Sequence, residues 1–317
     1  MRASDRWPGR LHVVTGKGGV GKTTVAAALA LALAADGRRT LLAEVEGRQG
    51  IAQLFGTAPL PYAERKVATA PGDGEVRALA VDPEEALLEY LDMFYKLGMA
   101  GRALKKFGAI DFATTIAPGM RDVLLTGKVK ESTTRAENGH RVYDAVVLDA
   151  PPTGRIGRFL NVTAETARLA KVGPIKTQSE GVAAFLRSPM TAVHVVTLLE
   201  EMPVQETADA LAELTALEIS VGKIIVNGVQ PPLLAAGKVA RPELRRALAA
   251  TGLPADRDTV AGLYTEAQAY LTRRKVEERL RAELAGLHRP LVELPYLAGG
   301  VDRAGLDQLA AALRAYG

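Results

Sequence analysis

The chain has 317 residues, 48% of them hydrophobic and 24% charged, enough for one large α/β domain or a core domain with a helical insertion. With 40 basic against 36 acidic side chains the net charge is +4, and the two signs are interspersed, so no nucleic-acid partner is expected. Cysteine is absent, which excludes disulfides, thiolate metal sites and Fe–S clusters, and the histidines at 12, 140, 194 and 288 have no metal-ligand spacing.

Residues 1–10 read as a flexible leader, polar and without the apolar stretch of a secretory signal, so a cytoplasmic location is expected. Residues 11–317 then read as a single domain. Leu11–Thr15 is an apolar, β-rich run that predicts the first strand. Next comes Gly16-Lys17-Gly18-Gly19-Val20-Gly21-Lys22-Thr23-Thr24, which fits the phosphate-loop pattern G-x-x-x-x-G-K-[ST]. The Ala/Leu-rich stretch after it predicts a buried helix over Lys22–Ala35, ended by Asp36-Gly37. Strand, loop and helix in this order separate a phosphate loop from a chance match. Its glycines free backbone N–H groups to turn toward phosphate oxygens, and the helix presents its positive end to the same anion. Lys22 is expected at the β- and γ-phosphates, Thr23 on Mg²⁺ and Thr24 near the α-phosphate of ATP. Lys17 is a second lysine that an ordinary phosphate loop does not need.

Arg39–Val45 predicts a second strand, and Glu44-Val45-Glu46-Gly47-Arg48-Gln49 follows it. A carboxylate here would orient an attacking water; Glu46 is the candidate, with Glu44 the alternate. Arg77–Val81 predicts a third strand. Residues 83–130 carry leucines and methionines at helical spacing, interrupted by Gly98, Gly101, Gly108 and Pro118-Gly119, and predict an inserted helical subdomain. Val142–Ala150 returns to a strand that ends at Asp149, where open α/β sheets line their ligand crevice. Asp149 is therefore the second candidate for Mg²⁺, and Pro151-Pro152-Thr153-Gly154 a stiff loop that follows it. Residues 161–190 predict a further helical segment, Thr191–Leu199 and Lys223–Val226 two more strands, and Glu206–Leu217 a helix between them. Asn227 closes the latter strand with an amide that can both donate to and accept from adenine. Pro295, after a last strand at Leu291–Leu294, is the expected far wall of the base pocket. Leu306, Leu309 and Leu313 give the terminal helix one apolar face. Short apolar strands alternating with helices predict a doubly wound, mostly parallel sheet flanked by helices.

With these pieces assembled, the chain resembles the ArsA family, which holds arsenite-pump ATPases and the tail-anchored-protein targeting ATPases of the GET pathway. Among these it is most similar to the actinobacterial, anion-transporting type. The resemblance rests on the deviant Walker A loop K-G-G-x-G-K-[ST]-T and on Asp149-x-x-Pro-Thr-Gly. Pro118-Gly119, Glu206-Thr207, the Ile-Val-Asn ending at Asn227 and the Leu-Pro at 294–295 add to it. It implies a P-loop ATPase using ATP and Mg²⁺, as a homodimer or a heterodimer with a related subunit. ATP would close the two subunits, with Lys17 reaching the partner's nucleotide. An apolar client helix or a membrane protein would be handled by residues 86–130 and 161–190.

Two switches depart from the family pattern. Glu46-Gly47-Arg48-Gln49 stands where an Asp-Pro-Ala-His run is usual, and Thr153-Gly154-Arg155 where Thr-Gly-His is usual. The arsenite-binding cysteines and the Cys-x-x-Cys zinc clasp have no counterpart. Two alternatives share the loop: a nucleotide-binding regulatory subunit with weak hydrolysis of its own, and a partition or septum-positioning ATPase. The last of these needs a concentrated basic patch or a basic, bulky-apolar C-terminal helix.

Overall fold

The computed structural model describes residues 6–95, 120–161, 174–234 and 239–316. Its centre is an eight-stranded sheet in the order β10-β9-β8-β1-β7-β2-β4-β3. In chain order the strands are β1 (Leu11–Gly16), β2 (Arg39–Glu44), β3 (Arg65–Ala70) and β4 (Gly74–Ala80). A two-residue hairpin, β5 (Ala136–Glu137) with β6 (His140–Arg141), stands apart from the sheet. β7 (Ala145–Asp149), β8 (Thr191–Thr197), β9 (Val221–Val229) and β10 (Leu291–Pro295) complete the set. Every pairing in the large sheet is parallel except β3 with β4. The central strands β1, β7 and β8 are buried along their whole length, as a parallel sheet covered on both faces requires.

Two apolar layers sandwich the sheet. On one face lie α1 (Lys22–Ala34), buried at every position from Val25 to Ala34, and the short α2 (Gly50–Leu54), with Ile51 and Ala52 buried in the same layer. A helix apolar all round must be enclosed, and its alanines let the sheet and α10 (Arg303–Ala315) approach it closely. Leu306, Leu309 and Leu313 of α10 are buried in this layer, so the apolar face of the terminal helix is core. The other face carries α4 (Met120–Thr134), α5 (Thr153–Leu160), α6 (Pro174–Leu186), α7 (Glu201–Ala216) and the buried leucines of the 29-residue α9 (Arg257–Ala285).

The sequence-based strands and helices recur with shifts of a few residues, and four differences carry physical content. The leader expectation fails for its second half. Trp7 is buried and its Nε1–H donates to the Leu313 carbonyl at 3.1 Å, while Arg6 donates to the carbonyls of Arg314 and Ala315. Strand β3 was not foreseen; it is an edge strand with Arg65 and Lys66 exposed, and Pro71-Gly72-Asp73 turns it antiparallel onto β4. In the inserted region, α3 (Pro83–Tyr95) and α4 flank residues 96–119, and α4 runs on to Thr134. Gly98, Gly101, Gly108 and Pro118-Gly119 lie outside the described residues. Finally, positive charge is less evenly spread than the sequence suggests. Arg241, Arg245, Arg246 and Arg257 line one cleft of about 510 Å³ between α8 (Arg241–Ala250) and α9.

Candidate active site

β1 delivers the phosphate loop to the C-terminal edge of the sheet, beside β7 and β8. Gly16 leaves the strand at φ 154, where a Cβ would collide with the Val196 carbonyl. Gly21 precedes α1 at φ 89, and a Cβ there would strike the Asn227 amide. Asn227 Nδ2 in turn donates to the Val20 carbonyl at 2.9 Å. The end of β9 thus braces the loop from the side. An alanine at Gly21 costs about 1–2 kcal/mol for its left-handed backbone and displaces this brace. Gly21→Ala is therefore expected to weaken binding of a fluorescent ATP analogue by about tenfold or more, read by titration. Unchanged affinity would show that the loop does not need this conformation.

Lys22 folds back over the loop, its Nζ 3.4 Å from the Lys17 carbonyl. Burial pushes its ammonium pKa down, against the pull of Asp149 and Glu46. Thr23 Oγ1 donates to Asp149 Oδ2 at 2.7 Å. The other oxygen of Asp149, Oδ1, is buried and has no hydrogen-bond partner. Burial raises the Asp149 carboxyl to about 6, partly offset by the Thr23 hydroxyl and Lys22. A buried carboxylate oxygen left without a partner, next to a threonine hydroxyl, fits a hydrated divalent cation. Among the described residues no three acidic or imidazole side chains converge on one point. Two protein oxygens suffice for Mg²⁺, which keeps its waters and takes phosphate oxygens.

The two candidate water-positioning carboxylates have different settings. Glu44 ends β2 in register with Asp149, is buried, and accepts from the Ile51 N–H at 3.3 Å. Its Oε1 has no hydrogen-bond partner. Glu46 lies further out, 3.5 Å from both Arg48 Nη2 and Arg155 Nη1. These three residues, with Arg121, Asp122 and Pro151, line a cavity of about 240 Å³. The departures from the family pattern at 48 and 155 therefore meet in space, as two guanidinium groups on one carboxylate.

The family model for anion-transporting ATPases (ArsA ATPase) matches residues 10–186. The chain belongs to the ArsA ATPase family. Across nearly its whole length this ATPase is 53% identical to ATPase BagA of Mycobacterium tuberculosis H37Rv, covering 99% of this chain and 97% of that one. It is 28% identical to ATPase GET3 of Kluyveromyces lactis over 68% of this chain and 70% of that protein. To the arsenical pump-driving ATPase of Escherichia coli it is 25% identical, over 80% of this chain and 45% of the other.

Around this ATPase's loop, the remaining sequence-derived candidates fall into place unevenly. Gly18 and Gly19 have open space around them, and Val20 is buried beneath the loop. Thr24 sits in the first turn of α1. Pro295 lies on β10 opposite Val229, with the Tyr296 N–H bonded to the Val229 carbonyl at 2.9 Å. It therefore neighbours the strand that carries Asn227. Thr15 Oγ1 donates to the Pro151 carbonyl at 2.7 Å, tying the segment after Asp149 to β1. Lys17 does not project freely: its Nζ is 2.9 Å from Glu206 Oε1 on α7. Glu206 was legible as part of a family motif, but nothing local in the sequence assigned it this contact.

Proposed function

We propose that the chain is a dimeric switch ATPase that couples MgATP binding and hydrolysis to closure of two subunits, and so to the handling of a client. The observation that carries this reading is the Thr23–Asp149 pair, with an orphaned Asp149 oxygen, at the mouth of a glycine-shaped phosphate cradle. In the proposed reaction, water attacks the γ-phosphate in line with the leaving β-phosphate oxygen. Lys22 neutralises charge that develops on the phosphates, and Lys17 of the second subunit adds to it. Glu46 places the water; Glu44, with a free oxygen beside Asp149, is the alternate. Thr23 and Asp149 would hold Mg²⁺, which when bound supplies charge neutralisation on the phosphates. Asn227 and Pro295 would border the adenine.

Either an apolar client helix or a membrane protein fits the family resemblance. In the described parts of the insertion, Leu87, Val123, Leu124, Leu125 and Val129 are buried and pack as core. The proposed client-handling segments are residues 86–130 and 161–190, of which 96–119 and 162–173 lie outside the described residues. No helix among the described residues is long and apolar enough to cross a membrane. A cytoplasmic setting is part of the same proposal.

A specific observation favours a second reading, that of a regulatory subunit paired with a related ATPase. Glu46 faces Arg48 and Arg155, each 3.5 Å away, and these two guanidinium groups compete with water for its carboxylate. Light scattering without nucleotide, with MgADP and with a slowly hydrolysed ATP analogue, alongside phosphate release, separates the two. A self-sufficient switch dimerises with the analogue, loses that dimer in Lys17→Ala, and releases phosphate. A chain that binds ATP but stays monomeric and inactive contradicts the first reading and sends the search to a partner subunit.

A further inference from the structure

Lys17, Glu206 and Thr153 come from three separate elements and meet at one carboxylate. Glu206 Oε1 is 2.9 Å from Lys17 Nζ, and Oε2 accepts from Thr153 Oγ1 at 3.1 Å. Lys17 belongs to the phosphate loop. Thr153 opens α5, four residues after Asp149. Glu206 projects from α7, which packs against α5 so closely that a Cβ at Gly157 would strike the Glu213 carboxylate. We propose that Glu206 is a positioning residue that parks Lys17 within its own subunit while the subunit is free and, when the facing subunit's triphosphate draws Lys17 off on closure, releases Thr153. Phosphate occupancy is thereby coupled to the segment that follows Asp149. The proposal rests on the phosphate loop being the ATP site.

The energetic ordering supports release. The Lys17 and Glu206 side chains are each 32% exposed, and an ion pair this open to solvent is weak. A triphosphate in the facing subunit's cradle carries several negative charges, so on closure it outcompetes one carboxylate for Lys17. Once Lys17 leaves, Glu206 is a lone anion beside a phosphate site, and repulsion drives it outward. Thr153 then loses its acceptor. The N-cap of α5, Pro152, makes no side-chain capping bond, so the Thr153 hydroxyl on Glu206 is the side-chain tie at the start of this helix. On the other side, Thr15 still fixes the Pro151 carbonyl. The hinge of the movement therefore falls between Pro151 and Thr153.

A merely structural Glu206 and a latch differ in their dependence on Lys17. Glu206→Gln keeps an acceptor for Thr153 but drops the charge that holds Lys17. It is expected to tighten binding of a fluorescent, slowly hydrolysed ATP analogue by about threefold, with less change for the ADP analogue. In a Lys17→Ala background the same substitution should change nothing, as a double-mutant cycle would show. Equal effects in both backgrounds, or no tightening in either, would overturn the latch. Glu206→Ala gives a second readout: without nucleotide, amide hydrogen exchange over residues 153–157 should rise to the level that the ATP analogue induces in the unmodified protein. Unchanged protection there would also overturn it. Lys22→Ala separates this proposal from the site assignment. If it binds the analogue normally the loop is not the nucleotide site; if it loses binding while Glu206→Gln is neutral, only the latch fails.

Discussion

Asp149→Asn is expected to lower Mg²⁺-dependent ATP hydrolysis by about 10²–10³-fold while leaving the fold intact, an effect of the size seen when one preorganised electrostatic group is removed. The side chains are nearly the same shape. An asparagine oxygen can still accept from Thr23 Oγ1, so the 2.7 Å contact between β7 and α1 can persist. What changes is the orphaned position. Asp149 Oδ1 is a buried acceptor with no partner, and asparagine puts an amide donor there and removes the charge. A donor cannot face a hydrated cation, so affinity for the metal and the alignment of the phosphates are lost together. Phosphate release measured across a Mg²⁺ titration, with a thermal melt of both proteins, tests this. Hydrolysis retained at the same Mg²⁺ midpoint would remove Asp149 from the site. Lys22→Ala should act at the earlier step, with loss of ATP affinity rather than a shift in the Mg²⁺ requirement.

The parts of this architecture that were legible in the sequence are those whose physics is local. A phosphate loop needs glycines at fixed offsets between a strand and a helix, and all of these are neighbours in the chain. Asp149 could be placed because a very apolar run ending in a carboxylate has few other uses. The parts that were not legible depend on distant residues meeting. β3 has no strong strand pattern because it is an edge whose exposed positions are Arg65, Lys66 and Thr69. Trp7 looks like leader until α10 arrives from the other end of the chain to accept its N–H. Arg241 and Arg257 come to share a cleft only when α8 folds against α9. Arg48 and Arg155, 107 positions apart by number, converge on Glu46 because β2 and β7 are adjacent strands. That convergence brings the two departures from the family pattern, at 48 and 155, onto one carboxylate.

The histidines at 12 and 194 show the same limit, and they make the fold sensitive to acid. Isolated in sequence, the two rings stack 5.4 Å apart inside the sheet layer, edge-on to Trp7, with His12 Nδ1 3.1 Å from His194 Nε2. The Lys223 N–H donates to His194 Nδ1 at 3.0 Å, so that nitrogen is an acceptor and the His194 proton is on Nε2. His194 therefore donates to His12 Nδ1, and the His12 proton is on Nε2, which has no partner. Both rings are neutral. Complete burial holds His12 at about 4, with Arg38 adding to the effect, and burial likewise holds His194 well below its usual value. Above pH 6.5 the folded and unfolded chains both carry neutral rings, and stability is full. As pH falls below 6.5 the unfolded chain takes up protons that the native core refuses, so stability declines until the pH passes the folded value near 4. For His12 alone the loss amounts to about 3 kcal/mol over that range. Urea unfolding at intervals from pH 7.5 to 4.5 should show this decline, and it should be shallower in His12→Leu, which removes a titrating ring and an orphaned N–H together. Ring nitrogen chemical shifts provide the independent check: both histidines should keep the Nε2–H tautomer at pH 5, and a protonated ring at that pH would contradict the assignment.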